Sequence, residues 1–156
     1  MALRYNLGCG FNKMEGYINV DRAKICKPDI LADVTILPWT WAKSDKASEI
    51  YFGDLAEHIT REQNTWIKVL RECHRVLKKG GLLKLRVPEC REGNLKAAVT
   101  DPTHTSNYFT EDSIDYLDCR HSRWKNFGRA YGIPAFDRVG QTRKGRHLII
   151  KVKAHK

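Results

Sequence analysis

Leu3-Arg4-Tyr5-Asn6-Leu7-Gly8-Cys9-Gly10, with Asp21 eleven residues beyond its last glycine, is the stretch whose reading decides the fold. Leu3, Tyr5 and Leu7 alternate with Arg4 and Asn6 as in a short strand, which runs into two glycines that a ligand can approach without Cβ interference. Asp21 closes a second apolar run, Tyr17-Ile18-Asn19-Val20. A carboxylate there can accept hydrogen bonds from both hydroxyls of a ribose. The spacing is not the nicotinamide fingerprint, which has a third glycine opening a crossover helix and an acid about 20 residues on. Lys13 occupies that third position, and a lone Gly-x-Gly is equally compatible with a tight turn.

The rest of the chain decides between these readings. Asp29-Ile30-Leu31-Ala32-Asp33-Val34 reads as a third strand and Glu49-Ile50-Tyr51-Phe52-Gly53 as a fourth, with room for one short helix between them. A helix follows, with Thr60 as its cap and Gln63 three residues on. Trp66, Ile67, Leu70, Cys73, His74 and Leu77 share one face of it, and Gly80-Gly81 ends it. Residues 82–87 form a fifth strand stopped by Pro88. Thr110 caps a helix over 111–117, and residues 135–139 and 147–152 form a terminal hairpin around a polar turn. This alternation predicts a mostly parallel, Rossmann-like α/β sheet whose ligand binds beyond the carboxyl ends of the strands. Gly8 to Gly10, Asp21, Asp33 and Asp54 all fall at such ends.

A length of 156 residues fits a single domain, 1–156, that buries about 70% of its unfolded surface. No run of 18 apolar residues and no signal-peptide pattern is present, so a soluble, cytoplasmic protein without membrane contact is expected. Five cysteines without a C-x-x-C pair read as reduced thiols. Cys73-His74 and Cys119-x-His121 read as packing, so no metal site is expected. Of 28 Lys and Arg and 18 Asp and Glu, residues 120–156 hold 11 cations and only one acid, Asp137. The whole net charge of +10 lies there, which points to a polyanionic partner such as a nucleic acid. Arg123, Trp124 and Lys125, with Arg143, Lys144 and Arg146 in the polar turn, are the candidate contacts, Trp124 as a stacking platform. Against this, Lys151 and Lys153 alternate with Ile150 and Val152 as on any half-exposed strand.

The motifs Asn6-Leu7-Gly8-Cys9-Gly10, Glu15-Gly16-Tyr17-Ile18-Asn19-Val20-Asp21, Asp33 with Leu37-Pro38-Trp39, Glu57-His58-Ile59, His74-Arg75-Val76-Leu77-Lys78-Lys79-Gly80-Gly81 and Asp101-Pro102-Thr103-His104 together resemble the class I S-adenosylmethionine-dependent methyltransferases, in particular the small type-11 group. The resemblance covers residues 3 to about 118 and implies a seven-stranded sheet with a reversed last strand and S-adenosylmethionine as cofactor. It implies a loop of Leu7, Gly8, Cys9 and Gly10 beside the methionine part of the cofactor, Asp21 on the ribose, and Asp33 with Val34 at the adenine. Gly53, Asp54 and Leu55 would line the methionine end, with His58 close by. The first crossovers are minimal: seven residues lie between Gly10 and Ile18, where parallel strands usually need a dozen or more.

Methyl transfer from a sulfonium is an in-line displacement in which positioning supplies much of the catalysis, and a base is needed only where the acceptor must lose a proton. His104 and His58 are the candidate catalytic residues. The expectation is methyl transfer to an oxygen or nitrogen acceptor, on a nucleic acid. Alternatives are a small-molecule or sugar methyltransferase and a cofactor-binding module without turnover. Gly53-Asp54-Leu55-Ala56 stands where amino-directed DNA methyltransferases carry an Asn/Asp-Pro-Pro-aromatic motif, and no Pro-Cys pair is present. Both DNA-directed classes are therefore disfavoured.

Overall fold

A computed structural model describes residues 2–105 and 107–156. Seven strands, β1 (Leu3–Leu7), β2 (Ile18–Asp21), β3 (Ile30–Leu31), β4 (Ala47–Gly53), β5 (Leu77–Pro88), β6 (Phe136–Lys144) and β7 (His147–Ala154), form one sheet in the order β3-β2-β1-β4-β5-β7-β6. β1 to β5 pair in parallel, and β7 inserts antiparallel between β5 and β6. The reversed last strand is therefore as expected. Among the described residues three α-helices accompany the sheet, α1 (Thr65–Val76), α2 (Leu95–Val99) and α3 (Arg129–Tyr131), with short 3-10 and π-helical turns besides.

One sheet face carries the core. Leu7, Phe52, Leu83, Leu85, Ile150 and Val152 are buried there with Val69, Leu70 and Cys73 of α1. Between β3 and β4, where there was room for one short helix, the described residues contain none. Trp39 fills this space instead, buried and donating its indole N–H to the Val34 carbonyl at 2.9 Å. Arg75 of α1 clamps the segment by donating to the carbonyls of Trp39 and Ala42 while pairing with Glu72 at 2.7 Å.

The opposite face has no comparable cover. Tyr51, Leu82, Lys84, Arg86, Ile149 and Lys151 stay half-buried there and Lys153 is exposed. The β1–β2 connection, which normally carries a helix over such a face, is a ten-residue loop here. Two asparagines satisfy that loop. Asn6 and Asn19 are register partners, and Asn6 Nδ2 donates to Asn19 Oδ1 and to the Asn12 carbonyl at 2.9 and 3.1 Å. Asn19 Oδ1 accepts from the Met14 amide, and its Nδ2 donates to the carbonyls of Met14 and Tyr17 and to Asp29. Side-chain amides thus meet the backbone groups that a helix would have satisfied internally.

Two sequence boundaries move. The helix expected to end at Gly80-Gly81 ends at Val76, and these glycines lie inside β5. There the register against β4 jumps from Ala47↔Leu77 to Glu49↔Leu82, and Gly81 crosses so close to the Ala47 carbonyl that a Cβ would lie 2.9 Å from it. A Gly-Gly pair that looks like a helix stop is a strand irregularity. Thr60 accepts from the Glu62 amide at 3.1 Å and stabilises a short turn, while α1 starts later, at Thr65. No helix of the described residues is long and apolar enough to cross a membrane.

Candidate active site

The glycine loop and two carboxylates meet at the carboxyl ends of β1, β2 and β3. The amides of Gly8 and Cys9 both donate to the Val20 carbonyl, at 2.8 and 3.1 Å, which folds the loop over the end of β2. Gly8 has φ +65°, and a Cβ there would lie 2.7 Å from Leu55. Gly10 has φ +49°, and a Cβ would meet nothing within 4 Å. Asp21 holds the loop: Oδ2 accepts from the Gly10 amide and Oδ1 from the Ala23 amide, each at 2.8 Å. Each oxygen keeps a second lone pair for a donor in the cleft.

Asp33 Oδ1 accepts from the Thr35 amide and hydroxyl at 2.9 and 2.7 Å, and Arg22 stands 3.6 Å from Oδ2. Burial pushes this carboxyl up, but the Thr35 hydrogen bonds and the Arg22 charge outweigh it and hold the pKa below the usual value. Asp33 is therefore an acceptor at neutral pH.

Gly8, Gly10, Asp21, Asp33, Val34, Leu55 and His58, all expected cofactor positions, line one cleft of about 350 Å³. Arg22, Ala32, Thr35, Ile59 and Thr103 complete its wall and were not foreseen. Leu7 and Cys9 are buried and do not line the cleft. Gly53 and Asp54 do not line it either. Asp54, at φ +56°, turns instead toward Arg86 at 3.0 Å and His147 at 3.2 Å. A larger cavity of about 760 Å³ beside α1, lined among others by Trp66, Tyr108, Phe109 and Tyr131, contains no carboxylate, histidine or thiol.

Residues 101–105 and Asn107 are tied over the turn that follows β4. Thr105 donates its amide and hydroxyl to the Glu57 carbonyl at 3.0 and 3.1 Å, and Asn107 donates to the Ala56 carbonyl at 2.8 Å. His58 and His104 thereby pack edge to face with ring centroids 4.7 Å apart. His58 reaches the cleft; His104, 8% exposed at its side chain, does not line it.

Glu57 is the residue that sequence reasoning quoted without assigning a role. It is 4% exposed, and neither carboxyl oxygen has a hydrogen-bond partner among the described residues. Burial raises its pKa to about 7, and the neighbouring charge of Asp54 adds to the push. The available signal was its place between Ala56 and Ile59, in a turn that must pack under the strand ends.

The expected nucleic-acid residues fall into two kinds. Arg143 bonds Glu89 at 2.8 and 3.0 Å and also pairs with Glu111, while Arg123 pairs with Asp112 at 3.0 Å and Asp115 at 3.5 Å. Trp124 donates its indole N–H to the Ile133 carbonyl at 3.1 Å, a packing role. Lys125, Lys144 and Arg146 are exposed. Sequence reasoning missed a second basic surface, the uncovered sheet face. Lys84 lies 5.1 Å from the Tyr51 ring centre and pairs in register with Lys151, with Arg86 two residues along β5.

No protein-family model and no curated protein sequence matches the chain. Solved structures do. A chain of the complex between the Haloferax volcanii Trm112 methyltransferase activator and a methyltransferase is 13% identical, with a TM-score of 0.66 over 99% of this chain and 82% of that one. The Burkholderia thailandensis 1,6-didemethyltoxoflavin-N1-methyltransferase, with its substrate and S-adenosylhomocysteine bound, is 14% identical, with a TM-score of 0.64 over 99% of this chain and 72% of that one. A 16S rRNA (adenine(1408)-N(1))-methyltransferase from Catenulisporales acidiphilia, a W203A mutant with S-adenosylmethionine, is 11% identical, with a TM-score of 0.60 over 99% and 85%. With the strand order, these likenesses show the class I methyltransferase fold.

Proposed function

We propose that this chain is a methyltransferase that uses S-adenosylmethionine, bound in the cleft at the ends of β1, β2 and β3. One observation carries the reading: Gly8, Gly10, Asp21 and Asp33, separate in sequence, line one cleft on a sheet of this order. The cleft's donor set fits the cofactor. Asp21 keeps free lone pairs for two ribose hydroxyls, Asp33 Oδ2 is open to the adenine amine, and the space over Gly10 admits a ligand against the backbone.

S-adenosylmethionine supplies a methyl group activated on a sulfonium. The chain's own task is to hold donor and acceptor in line and to accept a proton where the acceptor must lose one. His58 stands at the cleft wall with His104 packed against it.

The structural relatives act on a toxoflavin precursor and on ribosomal RNA, so relatives of this fold differ in acceptor. For this chain a nucleic-acid acceptor is favoured by the uncovered sheet face, where Lys84 and Lys151 stand beside Tyr51, next to Arg86 in its pair with Asp54. Cations around an aromatic suit a phosphate backbone with an unpaired base. Calorimetry with S-adenosylmethionine and S-adenosylhomocysteine tests the cleft, and absence of binding by both refutes the reading. A labelled-methyl screen across RNA, DNA and metabolite pools then identifies the acceptor class. Transfer only to small molecules would remove the nucleic-acid arm.

A further inference from the structure

Next to the cleft, Glu57, His58 and His104 bring one ligand atom each to within 4.8 Å of one another. The hydrogen bonds around the two rings fix which nitrogen of each is free to bind a metal. His104 Nδ1 lies 2.7 Å from the Ala98 carbonyl, which only accepts, so the ring carries its proton on Nδ1. His58 Nδ1 lies 3.1 Å from the Thr103 carbonyl and 3.1 Å from the Thr103 hydroxyl. That hydroxyl already donates its hydrogen to Asp101 Oδ1 at 2.6 Å, so here too the proton sits on Nδ1. Both Nε2 atoms are left as lone pairs. The Glu57 carboxylate adds two oxygens that are buried and unpartnered among the described residues. Asp101 Oδ2 stands 3.8 Å from His104 Nε2. Acceptors face acceptors here.

The geometry points to a divalent transition-metal site held by Glu57 and the Nε2 atoms of His58 and His104, with Asp101 at its edge. Two imidazoles whose Nδ1–H groups are donated to backbone or hydroxyl acceptors, plus one carboxylate, form the donor set that binds Zn²⁺, Mn²⁺, Fe²⁺ or Co²⁺ and keeps open coordination positions. Bonds of about 2.0–2.2 Å place neighbouring ligand atoms roughly 3–3.5 Å apart, so ligand atoms now within 4.8 Å of one another must draw together around the ion. His58 also lines the cleft, which puts the cation at the cleft wall. There it can hold an acceptor hydroxyl and lower its pKa, with the histidines serving as ligands rather than as bases. This last role rests on the methyl-transfer reading; the binding of the cation does not.

The test titrates the full chain, stripped with EDTA and free of S-adenosylmethionine, with Mn²⁺ followed by electron paramagnetic resonance and with Zn²⁺ followed by calorimetry. One site per chain is expected, with Mg²⁺ at least tenfold weaker because imidazole suits it poorly. Co²⁺ should give the visible absorption of a nitrogen- and oxygen-ligated ion. Glu57→Gln and His104→Ala should each weaken Mn²⁺ binding at least tenfold, while His121→Ala, outside the cluster, should leave it unchanged. Wild-type chain that binds none of these ions below about millimolar concentration overturns the proposal. So does binding that Glu57→Gln and His104→Ala leave intact. Thermal unfolding of each variant separates loss of a ligand from loss of the fold. S-adenosylhomocysteine binding with no metal binding would sink the cation site and leave the cofactor cleft standing.

Discussion

Replacing Asp21 by Ala separates a structural from a ligand-holding role, because the same carboxylate does both. In the free protein it accepts from the amides of Gly10 and Ala23, each at 2.8 Å. Hydrogen bonds to a charged acceptor contribute about 1.5–3 kcal/mol each, but Gly10 and Ala23 are both partly exposed, so water can replace the carboxylate. The net loss of stability should be about 1–2 kcal/mol, a fall in Tm of roughly 2–8 °C for a domain of this size. Cofactor binding should fall much further. Two ribose hydroxyls lose a charged acceptor and the glycine loop loses its strap, about 3–4 kcal/mol together. At 1.4 kcal/mol per decade this is roughly a 150- to 700-fold rise in Kd for S-adenosylhomocysteine. Asp21→Asn keeps one acceptor oxygen and should cost about tenfold. Calorimetry well below the Tm reads the affinity, and thermal unfolding reads the stability. A Kd for Asp21→Ala within threefold of wild type, with the Tm lowered, would confine Asp21 to loop structure and remove the ribose assignment.

The two loop glycines should respond differently. Gly8→Ala meets both a positive φ and Leu55 at 2.7 Å, so it should destabilise by about 2 kcal/mol or more; Gly10→Ala meets only the positive φ and should cost about 1 kcal/mol, yet weaken cofactor binding strongly. On the basic surfaces, Arg143→Ala leaves the buried Glu89 short of a partner and should lower the Tm, whereas Lys84→Ala with Lys151→Ala should leave the Tm nearly unchanged and reduce both RNA affinity and its salt slope. An unchanged salt slope in that double variant would remove the sheet face as a phosphate contact. His74 supplies a pH dependence: burial lowers its pKa despite its hydrogen bond to the His155 carbonyl at 3.1 Å. A histidine depressed in the folded state contributes stability above its unfolded value of about 6.5 that is lost as pH falls through the lower folded value. Urea titrations between pH 5 and 7.5 should show this slope reduced in His74→Gln, and an identical slope in the variant would refute it.

The strand ends were legible because they depend on local pattern. Alternation located β1 and β7, an apolar run located β4, and the acids at 21 and 33 stand where a parallel sheet opens. Three features were not legible. Asp54 sits at a strand end like the others, but its left-handed backbone turns it to Arg86 and His147, partners more than 30 residues away. Arg143 and Arg123 contribute to the charge excess of the last 37 residues, yet each pairs with acids of residues 89–115. A charge sum over a segment cannot register pairing across the fold. Glu57 drew no role from the sequence because residues such as Thr105 and Asn107, which bond the Glu57 and Ala56 carbonyls, arrive from beyond β5.

The short crossovers put a limit on what the candidate site requires. A parallel sheet ordinarily buries both faces under helices, and here one face stays polar and half-open. The loss of cover is tolerated because Asn6 and Asn19 bond the β1–β2 loop directly and because the exposed face carries Tyr51, Lys84, Arg86 and Lys151 rather than a continuous apolar run. The cleft does not depend on the missing layer. Its floor is the Gly8–Gly10 loop, held by the Val20 carbonyl and Asp21, and its far wall is Leu55 and His58, set by the turn after β4. Every one of these anchors is a strand end or the turn that leaves it. Removing helices from one face therefore leaves the geometry proposed to hold the cofactor intact while exposing a cationic surface beside it. Under the proposal that the acceptor is a nucleic acid, the thin sandwich would present the sheet itself to the substrate.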